Sequence, residues 1–302
     1  MAYVEKIIIK GKRYYKLVQT IRKGNKITHK SKYIGKILPN KERLEQLKKE
    51  FLSEIQGNRY KYLSNEDIEK IENKKLDYKK EIENSSLIER EKNLSEFMIR
   101  FTYDSSKLSG VNVTLRQTYL ILREGVIPDN IKSLKKVREI ENHQKGFMFI
   151  TNYKGVLNIN FIKKLHKTLF YGINDEIAGK LRDELKMNVK LAGTVYIPPK
   201  LQDLEKELSS FFKWYKSENK KLHSLELASL IHLKLISIQP FADGNSRLSR
   251  LLMNWVLWRH NYPLIDIPIE DLENYYNILD KYQIEKKEKP FIGYIKDRYF
   301  KS

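Results

Sequence analysis

Two segments constrain this chain more than anything else in it: Leu225–Ile238, LELASLIHLKLISI, and Leu248–Leu257, LSRLLMNWVL. Each is apolar nearly all round, the pattern of a central, buried helix. Between them runs a short polar connection, QPFADGNSR. A polar loop joining two buried helices is costly unless something uses it. It is therefore the leading candidate site.

The remaining pattern predicts a mainly α chain in three parts: a strand module over 1–38, a helical spacer over 39–92 and a helical domain over 93–302. In the last, Leu115–Leu122 continues a helix that stops at Gly125, before Pro128, and Lys132–Met148 and Phe161–Leu169 read as further helices. Met187–Ile197 is the exception. It alternates on both sides of Ala192-Gly193 and ends at Pro198-Pro199, predicting a β-hairpin. In the spacer, Leu44, Leu47, Phe51 and Ile55, then Ile68, Ile71 and Leu76, recur at helical intervals around a break near Gly57-Asn58. The first module reads as strands Tyr3–Ile9, Arg13–Arg22 and Lys26–Gly35, with turns at Gly11 and Lys23-Gly24-Asn25 and Pro39 closing it. Interleaved tyrosines and basic residues predict one charged face.

Composition narrows the chemistry. With no cysteine, disulfides, zinc–thiolate sites and cysteine nucleophiles are excluded. Six histidines with no zincin-like pair leave a hard ion such as Mg²⁺, held by a carboxylate and a bound phosphate, as the expected metal. No apolar run is long enough to span a membrane, and MAYVEKIIIKGK carries charges inside its short apolar run, unlike a signal peptide. The cytoplasm is the expected location. Of the net charge of +20, residues 1–40 hold +10, eleven Lys and Arg against the single acid Glu5. Such asymmetry points to a polyanion, DNA or RNA, at residues 1–38.

The loop has the parts of a phosphate site. Gly244 can take positive φ, and with Asn245 and Ser246 it leads into a helix N-terminus where N–H groups converge. Arg247 and Arg250, three apart, share one helix face and can reach the same phosphates. Asp243 is placed to hold Mg²⁺ against them, and Phe241 anchors the loop. A plain helix–turn–helix joint, with glycine for the turn and Ser246 as cap, uses the same residues. The flanking buried helices and the second arginine favour phosphate binding.

Pro240, Phe241, Asp243, Gly244, Asn245, Arg247 and Arg250 resemble the signature of the Fic (Fido) family: His-Pro-Phe, a spacer, Asp or Glu, Gly-Asn-Gly-Arg, two residues, Arg. Further similarity covers most of 95–275, including Gly179-Lys180-Leu181-Arg182 and the Pro198-Pro199 exit. The resemblance implies a Fic-type helical bundle binding ATP over the loop. Asp243 would carry Mg²⁺, Gly244 and Asn245 would form the anion cradle with Ser246, and Arg247 and Arg250 would hold phosphates. The hairpin, with Met187, Val189, Leu191 and Val195, resembles the family's flap, which docks a protein target by strand addition. The implied reaction is AMP transfer to a Ser, Thr or Tyr hydroxyl.

Three positions depart from the pattern. The catalytic histidine is replaced by Gln239, an amide that cannot take the proton of an attacking hydroxyl. His232, about 10 Å back along its helix, reads as a core residue. Ser246 stands at the second glycine. The segment SSKLSGVN resembles the family's inhibitory helix, but Ser109 before Gly110 replaces the glutamate, so neither it nor Ser105 can form the ion pair and Arg250 is expected to be free. Loss of both base and brake suits a nucleotide-binding protein with little transfer activity. An ungated adenylyltransferase in which Gln239 only orients the acceptor, and a nucleic-acid-binding regulator acting through the N-terminal sheet, are the other readings.

Overall fold

A computed structural model describes residues 2–9, 11–23, 26–56 and 60–302; the expected breaks at Gly24-Asn25 and Gly57-Asn58 lie outside the described residues. The chain divides into two compact units, Met1–Glu69 and Lys70–Ser302.

In the first unit, β1 (Tyr3–Ile9), β2 (Lys12–Lys23) and β3 (Lys26–Gly35) form an antiparallel meander in the order β1-β2-β3. Val4 pairs with Leu17 and Leu17 with Lys32, and a bulge between Tyr15 and Lys16 shifts the β2–β3 register. Helix α1 (Lys41–Gln56) supplies Leu44, Leu47 and Phe51 to a small core with Ala2, Val4 and Leu17. So small a sheet is marginal alone and gains its stability from that helix. The prediction of one charged face needs correction. The register puts Lys6, Arg13 and Lys30 on the Leu17 side and Lys12, Lys16 and Arg22 on the other, because the basic residues do not follow the two-residue period of the pleat.

Helices α2 (Asn65–Asn84), α3 (Leu87–Leu108) and α4 (Leu115–Tyr119) come next, and α4 runs into one π-helical turn, Leu120–Glu124. Gly125 ends it at φ 65°. Then follow α5 (Leu134–Asn152), α6 (Ile159–Phe170) and α7 (Leu204–Glu218). The two central helices are α8 (Ser224–Ile238) and α9 (Asn245–Arg259), and α10 (Leu272–Glu285) and α11 (Lys289–Lys301) close the chain. As their sequences require, α8 and α9 are buried on almost every side and pack against each other, with α5 and α6 beside α9 and α11 against α8. Among the described residues no helix is long and apolar enough to cross a membrane.

Met187–Ile197 is not the predicted hairpin. It turns at Gly193, φ 78°, as expected, but its arms form no strand ladder. Two arms this short are not stable as an isolated ribbon, and the segment is pinned by side chains instead: Thr194 Oγ1 donates to Asp280 at 2.6 Å and the Tyr196 hydroxyl to the Ser237 carbonyl at 3.0 Å.

Candidate functional site

The loop between α8 and α9 is over-determined by hydrogen bonds. Gln239 ends α8 in the left-handed region, φ 52°, a conformation that costs a non-glycine residue about 1–2 kcal/mol. Arg182 holds it there: its Nε donates to the Gln239 carbonyl at 2.8 Å, its backbone N–H to the Pro240 carbonyl at 3.0 Å, and its guanidinium also bonds Pro199. The Gln239 side chain folds inward. Its Nε2 donates to the Ile236 carbonyl at 2.6 Å and its Oε1 accepts from Asn245 Nδ2 at 2.7 Å.

Asn245 is a staple rather than a cradle. Its Oδ1 accepts from Phe241 N at 3.0 Å and its Nδ2 donates to the Phe241 carbonyl at 2.8 Å as well as to Gln239. Every polar atom of this side chain serves the loop, so any part Asn245 takes in the expected anion cradle falls to its backbone N–H. Gly244, at φ 76°, is the N-cap of α9, displacing Ser246 from the expected capping position into the first turn. A Cβ at Gly244 would lie 2.3 Å from the Phe170 ring, so only glycine fits. Asp243 Oδ1 accepts from Gly244 N at 2.6 Å, and its side chain is 69% exposed.

His166, on α6, braces the loop from below. Its Nδ1 accepts from Gly179 N at 2.9 Å, which leaves Nε2–H to donate to the Asp243 carbonyl at 3.0 Å. One acceptor and one donor require the neutral ring. Burial, with Arg247 adding to it, pushes its pKa down to about 4. The ring stacks on Phe241 with centroids 3.8 Å apart and on Phe170 at 4.6 Å. His232 is a core residue as read: fully buried, Nε2 2.9 Å from the Tyr275 hydroxyl, stacked on Phe291.

Arg247 and Arg250 rise from α9 and are both buried. Arg247 lies over Phe170, 5.1 Å from its centroid. Two acids flank it without hydrogen-bonding reach, Glu139 at 3.8 Å and Asp243 at 3.9 Å, and its Nε finds no acceptor among the described residues. Arg250 is not free, contrary to the expectation. Its Nε donates to Ser105 Oγ at 2.9 Å, and its Nη2 to the Ser105 carbonyl at 2.8 Å and to Ser109 Oγ at 2.7 Å. Losing the acid removed the ion pair but not the contact, because a hydroxyl and an α3 carbonyl occupy the same donors. Gly110 follows Ser109 at φ 84°. Arg250 Nη1 remains without an acceptor among the described residues. Two buried guanidiniums on one face, with Glu139 and Asp243 as counter-charges beside Arg247 alone, each keep one N–H without an acceptor, and a buried donor left unpaired is expensive unless an acceptor completes it.

The segment 187–197 presents Val195 and Ile197, both more than 80% exposed, with Met187 exposed and Val189 and Leu191 half-buried. Sequence reasoning missed His166, Phe170, Glu139 and the part played by Arg182. The signals were thin: one histidine on the apolar face of an amphipathic helix, and one arginine in Gly179-Lys180-Leu181-Arg182. Among the described residues no cluster of His, Asp and Glu forms a metal cage.

A model of the Fic/DOC family matches residues 156–257. The protein adenylyltransferase Fic of Drosophila melanogaster is 35% identical over 206 residues, 67% of this chain and 40% of that protein. That of Drosophila persimilis is 34% identical over 219 residues, 71% and 41% of the two. The chain thus spans about 40% of the length of these relatives. Among solved structures, a Fic domain containing signaling protein from Bacteroides thetaiotaomicron has a TM-score of 0.68 at 30% identity, covering 78% of this chain and 94% of that one. Fic-1 of C. elegans has a TM-score of 0.65 over 86% of this chain and 74% of its own, and at 19% identity it speaks for the fold alone.

Proposed function

The chain belongs to the Fic/DOC family, and on that premise we propose that it binds ATP with Mg²⁺ at the loop 239–250 and transfers AMP to protein hydroxyls slowly or not at all. The observation that carries the binding half is the pair of buried guanidiniums with unpaired N–H groups, Arg247 Nε and Arg250 Nη1. Both stand on the first turns of α9, whose leading backbone N–H groups lack helical partners and add the positive end of its dipole. A polyphosphate supplies acceptors to all of them. Asp243, exposed beside them, would hold the Mg²⁺, and with one carboxylate present phosphate oxygens complete the ligand set. The bound ion would offset charge on the phosphates.

AMP transfer forms a bond between the acceptor oxygen and the α-phosphorus and breaks the bond to pyrophosphate, and the acceptor's proton must be taken up. Gln239 has no basic atom, and its amide is engaged at both ends by Ile236 and Asn245. A missing general base lowers the rate by about 10²–10⁴-fold. The exposed 187–197 segment supports docking of an extended target beside the loop, with Val195 and Ile197 as apolar contacts.

The test is incubation of the full chain with labelled ATP and Mg²⁺. Wild type is expected to carry no label and Gln239→His to acquire it. Equal labelling of both would refute the inactive reading.

A further inference from the structure

The N-terminal sheet has a surface that the nucleotide site does not explain. Residues 1–40 carry +10 of the chain's +20, and their single acid, Glu5, is already paired with Lys16 at 3.3 Å. In its own unit, α1 packs against the Leu17 side of the sheet. The opposite side, set by the pairing of Ile7 with Tyr14 and of Lys16 with Tyr33, carries two tyrosines on neighbouring strands. Their ring centroids are 5.8 Å apart, and Tyr33 is 59% exposed. Basic groups surround them: Lys12 and Lys16 on β2, and Lys36, whose Nζ lies 5.9 Å from the Tyr14 ring centre.

Rings and cations in this arrangement answer to one chemistry. An ammonium group pairs with a phosphate oxygen whatever the sequence, and an exposed ring gives a base a face on which to stack. A duplex keeps its base faces buried in the stack, so it satisfies the lysines and leaves the tyrosines idle. A single strand satisfies both. We infer that the face carrying Tyr14, Tyr33, Lys12, Lys16 and Lys36 binds single-stranded nucleic acid, with bases on the two rings and phosphates on Lys12 and Lys36, while Lys16 stays paired with Glu5. This binding is separate from the ATP loop.

Fluorescence anisotropy of the full chain with a labelled oligothymidine tests it, with an unlabelled mixed-sequence duplex and heparin as competitors. The single strand is expected to bind with a log–log salt slope of about −1.4, as two phosphate contacts, at Lys12 and Lys36, give. Tyr33→Ala should weaken it about 5-fold or more, and Tyr33→Phe should retain it, because stacking needs the ring and not the hydroxyl. Lys36→Gln should make the slope shallower by about 0.7. Tyr33 and Lys36 are exposed, so neither substitution removes core packing. Excess ATP–Mg²⁺ should not displace the oligonucleotide. The proposal is overturned if Tyr33→Ala binds as wild type does, if duplex or heparin competes as well as the unlabelled single strand, or if ATP displaces it.

Discussion

Gly244→Ala separates two physical demands made at one position. The first is backbone: at φ 76° an L-residue loses about 1–2 kcal/mol. The second is steric. The added Cβ would lie 2.3 Å from Phe170 Cε2 and 2.9 Å from Cζ. The ring cannot swing aside freely, because His166 stacks on one part of it and the Arg247 guanidinium lies over it. Overpacking of this kind costs about 1–3 kcal/mol. Alanine's smaller unfolded-state entropy offsets about 0.4–1 kcal/mol, for a net loss of about 2–4 kcal/mol. Urea denaturation followed by tryptophan fluorescence measures it. In a Phe170→Leu background the steric part is relieved, and the same substitution should cost only about 1 kcal/mol. An equal cost in both backgrounds would refute the claim that ring and glycine are fitted to each other.

Three further outcomes follow from the same geometry. Ser109→Glu replaces the Ser109 Oγ that now accepts from Arg250 Nη2 at 2.7 Å with a longer side chain whose carboxylate can pair with the guanidinium, and should weaken ATP binding at least about tenfold, the worth of roughly one charge-assisted hydrogen bond; unchanged affinity would mean that Arg250 does not hold the nucleotide. Arg182→Ala leaves the Gln239 and Pro199 carbonyls without their donor and should cost about 3–5 kcal/mol, with limited proteolysis then cutting in 187–197. The histidines His166 and His232, held by burial at about 4 and about 3, should show no imidazolium by NMR at pH 5.5, where a free histidine is mostly protonated. Their folded values lie below the unfolded one, so the unfolded chain binds more protons between about pH 6.5 and 4, and their contribution to stability is lost as pH falls through that window. Asp266, pushed well up by burial and by Asp104, works in the opposite direction; a His166 signal titrating near 6.5 would contradict the assignment.

What the sequence made legible was whatever rests on periodicity. The all-round apolar helices α8 and α9, the three strands and the glycine turn at Gly244 follow from spacing and from what each residue type permits. Patterns do not carry contacts made at a distance. Nothing local distinguishes Asn245 as ligand from Asn245 as staple, because that depends on where the Phe241 backbone and the Gln239 amide arrive. The fate of Arg250 turned on Ser105 and Ser109, about 145 residues away in the chain. The absence of an acid does not remove the partner, because a hydroxyl accepts from a guanidinium too. The 187–197 segment has the alternation of a hairpin and lacks a third strand to stabilise it. The bracing by His166 needed its two bonds to Gly179 and Asp243, which no spacing reveals.

The central claim is that two buried guanidiniums at the start of α9, each keeping one unpaired N–H, grip a triphosphate. Calorimetric titration of the full chain with ATP and Mg²⁺ tests it most directly. A single saturable site is expected in the wild type and in Gln239→His, with binding lost in Arg247→Ala that is still folded by circular dichroism. No binding by the wild type, or undiminished binding by Arg247→Ala, would contradict it.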